Sequence, residues 1–399
     1  MKAAKTLTVA TLATLVVGSA VRLADAQTGV PSPPTNVQVR AASTTGTTPT
    51  RGVWIGKDEL MARATSGAAW TKVLADANAS PGTANVADQD NKHDAYTLAA
   101  ALVAVRTGQA SYRTKAIKGI RDAIGTEFNS GTRWLAISRN LLAYVVAADI
   151  LDLKPDGNST SDGTVIHGWI RGWLTKQLPD NNSSTLRGFR PFGSGSNADA
   201  QEGACYAAVA AYVGDTAALG RAWNAFRRYA GDPTAPDNEK IILGTGVEYG
   251  WAYSNTNPFA INPKGTTKMV PSGVPGAGTT QRIDGAIIND MRRGGSFRHP
   301  PGFTQYPWTG LMGFVPAAVV LQRAGYPAFE VADRAVLRTH DYLWWLRNAT
   351  GLADWFDSSR GSEIVQLVNH YYGTSFPVTH PVLVGHTIGY TDWTHAGTR

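Results

Sequence analysis

The stretch HDAYTLAAALVAVR at residues 93–106 is apolar on nearly every face. A helix lying on a protein surface shows an apolar stripe opposite a polar one, whereas a helix apolar all round is buried between layers. Thr107-Gly108 breaks the run. A second helix is expected from about Ser111 to Ile124, with its lysines and arginines on one face. The pair reads as a helical hairpin with one inner and one outer member.

The same shape recurs further along the chain. At 198–230 the alanine-rich ADAQEGACYAAVAAYV breaks at Gly214-Asp215 and TAALGRAWNAFRRYA follows; at 309–346 TGLMGFVPAAVVLQRAG breaks at Gly325-Tyr326-Pro327 and AFEVADRAVLRTHDYLWWL follows. Three such hairpins predict a repeated α/α architecture. Their irregular spacing favours hairpins closed into a ring over a short-period solenoid. Further helices are expected at 57–77, 134–152 and 163–177, and strand signals are sparse, the best being IIL at 241–243 and VLV at 382–384. Residues 231–308 are heavy in Gly, Pro, Asn and Thr, and a loop of that length inside a compact domain is usually functional or mobile. Binding groups are therefore expected there.

The chain begins with Lys2 and Lys5, an apolar run from Leu7 to about Val21 and the small-residue triplet Ala24-Asp25-Ala26. This is the pattern of a secretory signal cleaved after Ala26, which predicts a secreted or periplasmic protein. The run is too short and too interrupted by Thr, Gly and Ser for a membrane anchor. Residues 27–50, rich in Pro, Ser, Thr and Gly, read as a linker, and 51–399 as one catalytic domain. The one cysteine, Cys205, sits among alanines and reads as a buried small apolar residue, leaving stability to the core. No Cys/His cluster has zinc-ligand spacing, and no metal or cofactor is expected. The formal charge is +7, to which the leader contributes through Lys2, Lys5, Arg22 and Asp25. That modest excess suits an anionic ligand. The basic residues are scattered rather than set in a stripe and no nucleic-acid motif accompanies them, so neither nucleic acid nor membrane is the expected partner. The chain is taken as a monomer.

Three clusters carry candidate chemistry. RPFGSGSNADAQEG at 190–203 delivers Asn197 to the start of a buried helix, as a helix cap or as a catalytic amide. DMRRGGSFRHPPGFTQYPW at 290–308 places Arg292, Arg293, Arg298, His299, Tyr306 and Trp308 around rigid turns, interleaved with aromatics and leading into an apolar helix. That pattern favours a site over a merely solvated charge run. GHTIGYTDWTHAG at 385–397 crowds His386, Tyr390, Asp392, Trp393 and His395, and reads as a closing segment packed on the ring. Twelve tryptophans and fourteen tyrosines also fit a groove of sugar-stacking aromatics.

Taken in order, AYTLAAALVAVRTGQASY at 95–112, the Asn197 loop opening a helix that ends in Val213-Gly214-Asp215, the Arg-rich segment running to YPWTGL at 306–311 and GYTDWTH at 389–395 resemble the alginate-lyase-like polysaccharide lyases. The resemblance implies a mainly α fold, an incomplete (α/α) toroid or barrel of helical hairpins with few short strands. It also implies a substrate, a uronic-acid-containing polymer of the alginate, polymannuronate or glucuronan type. Tyr306 matches the family tyrosine that opens a buried helix, Asn197 the asparagine at the head of an earlier one, and Arg298 with His299 the arginine position. Two departures stand out: Ala198 replaces the histidine of better-known members, for which His299 is the substitute, and Pro300-Pro301-Gly302 lengthens the Arg-to-Tyr spacing. Arg292, Arg293 and Trp308 are the implied substrate-binding groups.

The implied reaction is β-elimination. The C5 proton of a uronate is hard to remove beside a carboxylate, and neutralising that carboxylate with Asn197, Arg298 and His299 stabilises the enolate-like transition state. Tyr306 takes the proton and returns it to the O4 leaving group. A phenol ordinarily ionises near ~10, and neighbouring cations favour its phenolate. The rival readings are a glycoside hydrolase, which needs two carboxylates flanking the scissile bond and could draw on Asp94, Asp149, Glu202, Glu248 and Asp284, and a non-catalytic glycan-binding protein.

Overall fold

The computed structural model describes residues 52–129, 134–180, 185–236, 241, 247–254, 259–357 and 361–397. The expected leader at 1–26, the linker at 27–50 and all but Ile241 of the IIL segment lie outside the described residues.

Among the described residues the chain runs through α1 (Lys57–Met61), α2 (Gly67–Asn78), α3 (His93–Thr107), α4 (Ala110–Ala123), α5 (Trp134–Ile150), α6 (Asp162–Gly172), β1 (Gln177–Pro179), β2 (Leu186–Gly188), α7 (Asn197–Val213) and α8 (Thr216–Ala230). It continues through α9 (Val247–Trp251), β3 (Thr267–Met269), β4 (Thr280–Arg282), α10 (Ile288–Met291), α11 (Tyr306–Arg323), α12 (Val331–Thr350), α13 (Ser362–Tyr372) and α14 (Thr391–Thr394). The fold is mainly helical.

The three expected hairpins are α3–α4, α7–α8 and α11–α12. Gly108 and Gly214 end α3 and α7 in the left-handed conformation, with φ of 71° and 73°, which glycine adopts without the clash a Cβ would bring. Asp215 then caps α8, its side chain accepting from Ala218 N at 2.9 Å.

Inner and outer members differ as their sequences require. α3, α5, α7 and α11 are buried around most of their circumference, whereas α4 buries only Ala116, Gly119, Ile120 and Ala123. α3 packs on α2, α4 and α5; α5 on α7; α7 on α8 and α11; α11 on α13. α13 in turn meets α14, and α14 meets α2. α7 and α11 approach closely, since a Cβ at Gly313 would overlap the backbone of Ala200 and Gln201. Each fully buried Val, Leu or Ile of these helices contributes about 1.5–3 kcal/mol relative to exposure. Cys205 lies in this core as expected, with Sγ donating to Ser138 O at 3.3 Å across to α5, and burial pushes its thiol up.

Three local expectations change. The helix expected at 57–77 is two helices separated at Ala62–Ser66, and the one at 163–177 ends at Gly172 before β1. Val382–Val384 form no strand, because Leu383 N bonds to the Ser362 hydroxyl at 3.2 Å instead of to a neighbouring strand. The strands that do form, antiparallel pairs β1–β2 and β3–β4, have three residues each. Such lengths are too short to show an alternating pattern.

The described parts of 231–308 are anchored by Asn262, which is fully buried. Its Nδ2 donates to Trp251 O at 2.9 Å and Ile283 O at 3.1 Å, and its Oδ1 accepts from Tyr253 N at 3.0 Å.

Candidate active site

Ser196, not Asn197, caps α7: its Oγ accepts from Asp199 N at 3.3 Å. Asn197 is thereby left as the first residue of the helix, with its amide free for another task. Its Nδ2 donates to Asp290 Oδ1 at 3.0 Å, a bond that joins the head of α7 to α10. Asp290 is fully buried, and its second oxygen, Oδ2, has no hydrogen-bond partner among the described residues. Burial pushes this carboxyl up to about 7, against the opposing pull of the Asn197 bond and of Arg293 and Arg292. Gly310 of α11 makes the arrangement possible, since a Cβ there would overlap Asp290 Oδ2.

Tyr306 opens α11, followed by Pro307 in the first turn, where a missing N–H costs no helical bond. The residue is 37% exposed. The 3-10 turn Arg292–Gly294 lays the Arg293 guanidinium over it, 4.7 Å from the ring centroid.

Asn197, Tyr306 and Arg293 share a cavity of about 900 Å³, a volume in the usual range for ligand clefts. Leu135 and Arg139 of α5, Gln201 of α7, Gln89 and Asp90 just before α3, and His386 of the C-terminal segment complete its polar side and part of its apolar side. A relay of bonds fixes this end of the molecule. Arg139 donates to Gln89 Oε1 at 3.0 Å and to Gln201 Oε1 at 3.3 Å, and Gln201 Nε2 donates to Thr309 O at 3.3 Å. The segment before α3 and the first two turns of α5, α7 and α11 are tied together in this way. The N-terminal ends of these inner helices border one cavity, and their dipoles favour an anion there. Arg139 and Arg293 act in the same direction. Among the described lining residues there is one carboxylate, Asp90.

The sequence candidates thus divide. Asn197, Tyr306 and Arg293 come together. Arg298 turns back on its own loop, where its Nη2 would lie 2.7 Å from a Cβ at Gly302, and it does not line the cavity. His299 faces Trp345, ring centroids 6.4 Å apart, its backbone N–H donates to Pro275 O at 3.1 Å, and it does not line the cavity. Arg292 is also outside the lining, since the tight turn that aims Arg293 at Tyr306 aims its neighbour elsewhere. Trp308 is 2% exposed, its indole edge-on to His340 and Phe356 and its Nε1 donating to Trp355 O at 3.2 Å. It belongs to the core and not to a sugar-binding face.

The carboxylates that a hydrolase would use are committed elsewhere. Asp149 accepts from Val53 N at 2.6 Å, Glu202 is held by both terminal nitrogens of Arg187, and Asp284 pairs with Arg338. Asp94 is buried away from the cavity, and the Glu248 side chain lies outside the described residues. A second cavity, of about 190 Å³ beside Arg63, Arg323 and His395, is below the ~300–1,000 Å³ of ligand clefts.

Arg139 and Asp290 were not among the residues singled out from the sequence for the site, and His386, named in the third cluster, was read there as part of a closing segment. The first had a signal: it is a lone cation in WLAISRNLLAYVVAADI, a helix otherwise apolar enough to be buried, so it had to face a polar space. Asp290 stood at the head of the Arg-rich cluster but looked like any helix-start acid. His386 had no periodic context at all. Tyr390 and Trp393 behave as the packing reading of that segment expected, the first donating to Asp76 Oδ2 at 2.9 Å and the second to Ala64 O at 2.8 Å. In comparison with known proteins, no family model matches the chain and no curated protein matches it.

Proposed function

We propose that this chain is a secreted polysaccharide lyase that cleaves a uronic-acid-containing polymer by β-elimination, with its helical hairpins arranged as an incomplete (α/α) toroid. The observation that carries the reading is the meeting of Tyr306, Asn197 and Arg293 in one cavity at the N-terminal ends of the inner helices, with a single carboxylate in the described lining. The succession of helix contacts from α3 through α5, α7, α11, α13 and α14 to α2 and back supports the toroid. The order of motifs shared with alginate-lyase-like proteins supports the activity.

In this reading the substrate carboxylate binds between Asn197 and Arg293. The Asp290 bond orients the Asn197 amide, whose second N–H remains available to the substrate. Charge on the carboxylate grows as C5 loses its proton, and donors already in place stabilise it without reorganising. Tyr306, as phenolate, removes the C5 proton; the electron pair forms the C4–C5 double bond as the C4–O4 bond breaks. The same phenol then protonates the departing O4. Arg293, stacked on the ring, places a fixed positive charge where the phenolate forms. Hydrolysis is disfavoured because two flanking carboxylates are required and the described lining has Asp90 alone.

Incubation of residues 27–399 with alginate, its mannuronate- and guluronate-rich fractions, glucuronan and a neutral glucan tests the proposal. Ultraviolet absorbance from unsaturated uronate ends on at least one acidic polymer is expected, and none on the neutral glucan. New reducing ends without that absorbance would replace the lyase with a hydrolase.

A further inference from the structure

The C-terminal segment reaches the cavity through an unusual piece of backbone. Gly385, His386 and Thr387 have φ of 87°, 56° and 123° in succession. Glycine adopts such values freely, histidine is tolerated in the left-handed region, and a β-branched threonine at positive φ is a true outlier. Residues in these regions cost on the order of 1–3 kcal/mol each and persist only where their surroundings impose them.

Those surroundings are present on both sides. Upstream, the Ser362 hydroxyl donates to Pro381 O at 2.8 Å and accepts from Leu383 N at 3.2 Å. Downstream, the Tyr390 hydroxyl bonds Asp76 and, at 3.2 Å, Ala95 O, while Trp393 is tied to Ala64 O. Between the clamps the loop closes on itself: a Cβ at Gly389 would lie 2.9 Å from Val384 Cα. His386 sits in the middle of this closed loop and lines the large cavity. The strain is concentrated where a side chain enters the site, and Thr387 Oγ1 is buried with no hydrogen-bond partner among the described residues.

We infer that His386 contacts the bound substrate, donating a hydrogen bond from its imidazole to the anionic sugar, and that the strained Gly385–Thr387 turn exists to hold it in the cavity. The inference rests on the uronate-polymer reading of the cavity. The other charged groups lining the same space are Asp90, Arg139 and Arg293. The imidazole thus enters from the C-terminal segment, opposite in chain order to the Ala198 position where related enzymes carry theirs.

The choice of variants follows from the backbone. Asparagine is enriched at positive φ, so His386→Asn removes the imidazole and keeps the turn; His386→Gly does the same with no side chain. His380, exposed and paired with Asp357, is the control on the same segment. On the polymer the wild type cleaves, His386→Asn is expected to lower kcat/KM by about 10²-fold with an unchanged melting temperature, and added imidazole is expected to restore part of the activity of His386→Gly. His380→Asn is expected to match wild type. Equal kcat/KM in wild type and His386→Asn overturns the inference and leaves the lyase reading standing. If the wild type yields no unsaturated ends, the lyase reading falls, and calorimetric binding of alginate oligomers decides the inference alone: a tenfold or greater loss in His386→Asn sustains it, equal affinity or no binding by wild type overturns it. Should His386→Asn melt early, rescue of His386→Gly by imidazole decides, and failure of rescue counts against the proposal.

Discussion

The head of α7 and the loop at 292–300 carry similar densities of polar residues, yet they serve the cavity very differently. At the head of α7, Asn197 is placed by a helix buried on nearly all sides, capped by Ser196 and pressed against α11 at Gly313. In the loop, Arg292, Arg293, Arg298 and His299 follow the path of a short turn and a chain reversal, and only Arg293 reaches the cavity. A side chain on the first turn of an inner helix inherits the precision of the core. A side chain on a loop has no such inheritance, and its type alone does not say where it points.

The largest effect that could break this contrast is at Tyr306, on the first turn of α11. Tyr306→Phe should lower kcat by about 10²–10⁴-fold while polymer affinity, measured calorimetrically, stays within a few-fold. A step smaller is Asn197→Ala, expected to cost about 10²–10³ in kcat as a lost transition-state donor. A comparable loss in Arg298→Ala, which the structure directs away from the cavity, would erase the distinction between the two regions.

Asp290 sharpens the comparison through pH. Its ordinary value is 3.8 and burial raises it to about 7 in the folded protein. The folded state therefore holds a proton that the unfolded state releases, and this contribution is complete below about pH 4 and lost as pH rises through 7. Denaturant unfolding of wild type and Asp290→Asn at pH 5 and pH 8 should show the difference moving in favour of the variant by about 2–3 kcal/mol. Asp94 and Glu363, also buried and raised, are common to both proteins and cancel. A pH-independent difference would mean that Asp290 is ionised throughout.

Smaller effects separate core from site. Trp308→Ala should destabilise by about 3–5 kcal/mol as a cavity in the core, while Trp308→Phe, which keeps most of the packing, should leave KM within twofold. His299→Asn should change kcat/KM by less than threefold, far less than His386→Asn.

Much of the fold was legible in the chain because burial leaves a pattern. HDAYTLAAALVAVR is apolar on nearly every face and ADAQEGACYAAVAAYV is rich in alanine, and α3 and α7 are buried accordingly. The three-residue strands were not legible, being shorter than any period they could display. In the site, Asn197 and Tyr306 were readable because each follows a loop and opens such a helix. Asp290 was hidden because its importance lies in a contact across 93 residues of chain, made possible by a glycine on a third element. His386 was named in the third cluster but read as packing, because a left-handed turn carries no periodicity and its place at the cavity depends on clamps from Ser362, Asp76 and Ala64.

The central claim is that the helix-start tyrosine in the cavity performs elimination. Its most direct test is ultraviolet absorbance of unsaturated uronate ends, followed for wild type and Tyr306→Phe on the acidic polymer that binds best. A rise with wild type that disappears in the variant, at retained affinity, is the result predicted here; an undiminished rise in Tyr306→Phe would contradict it.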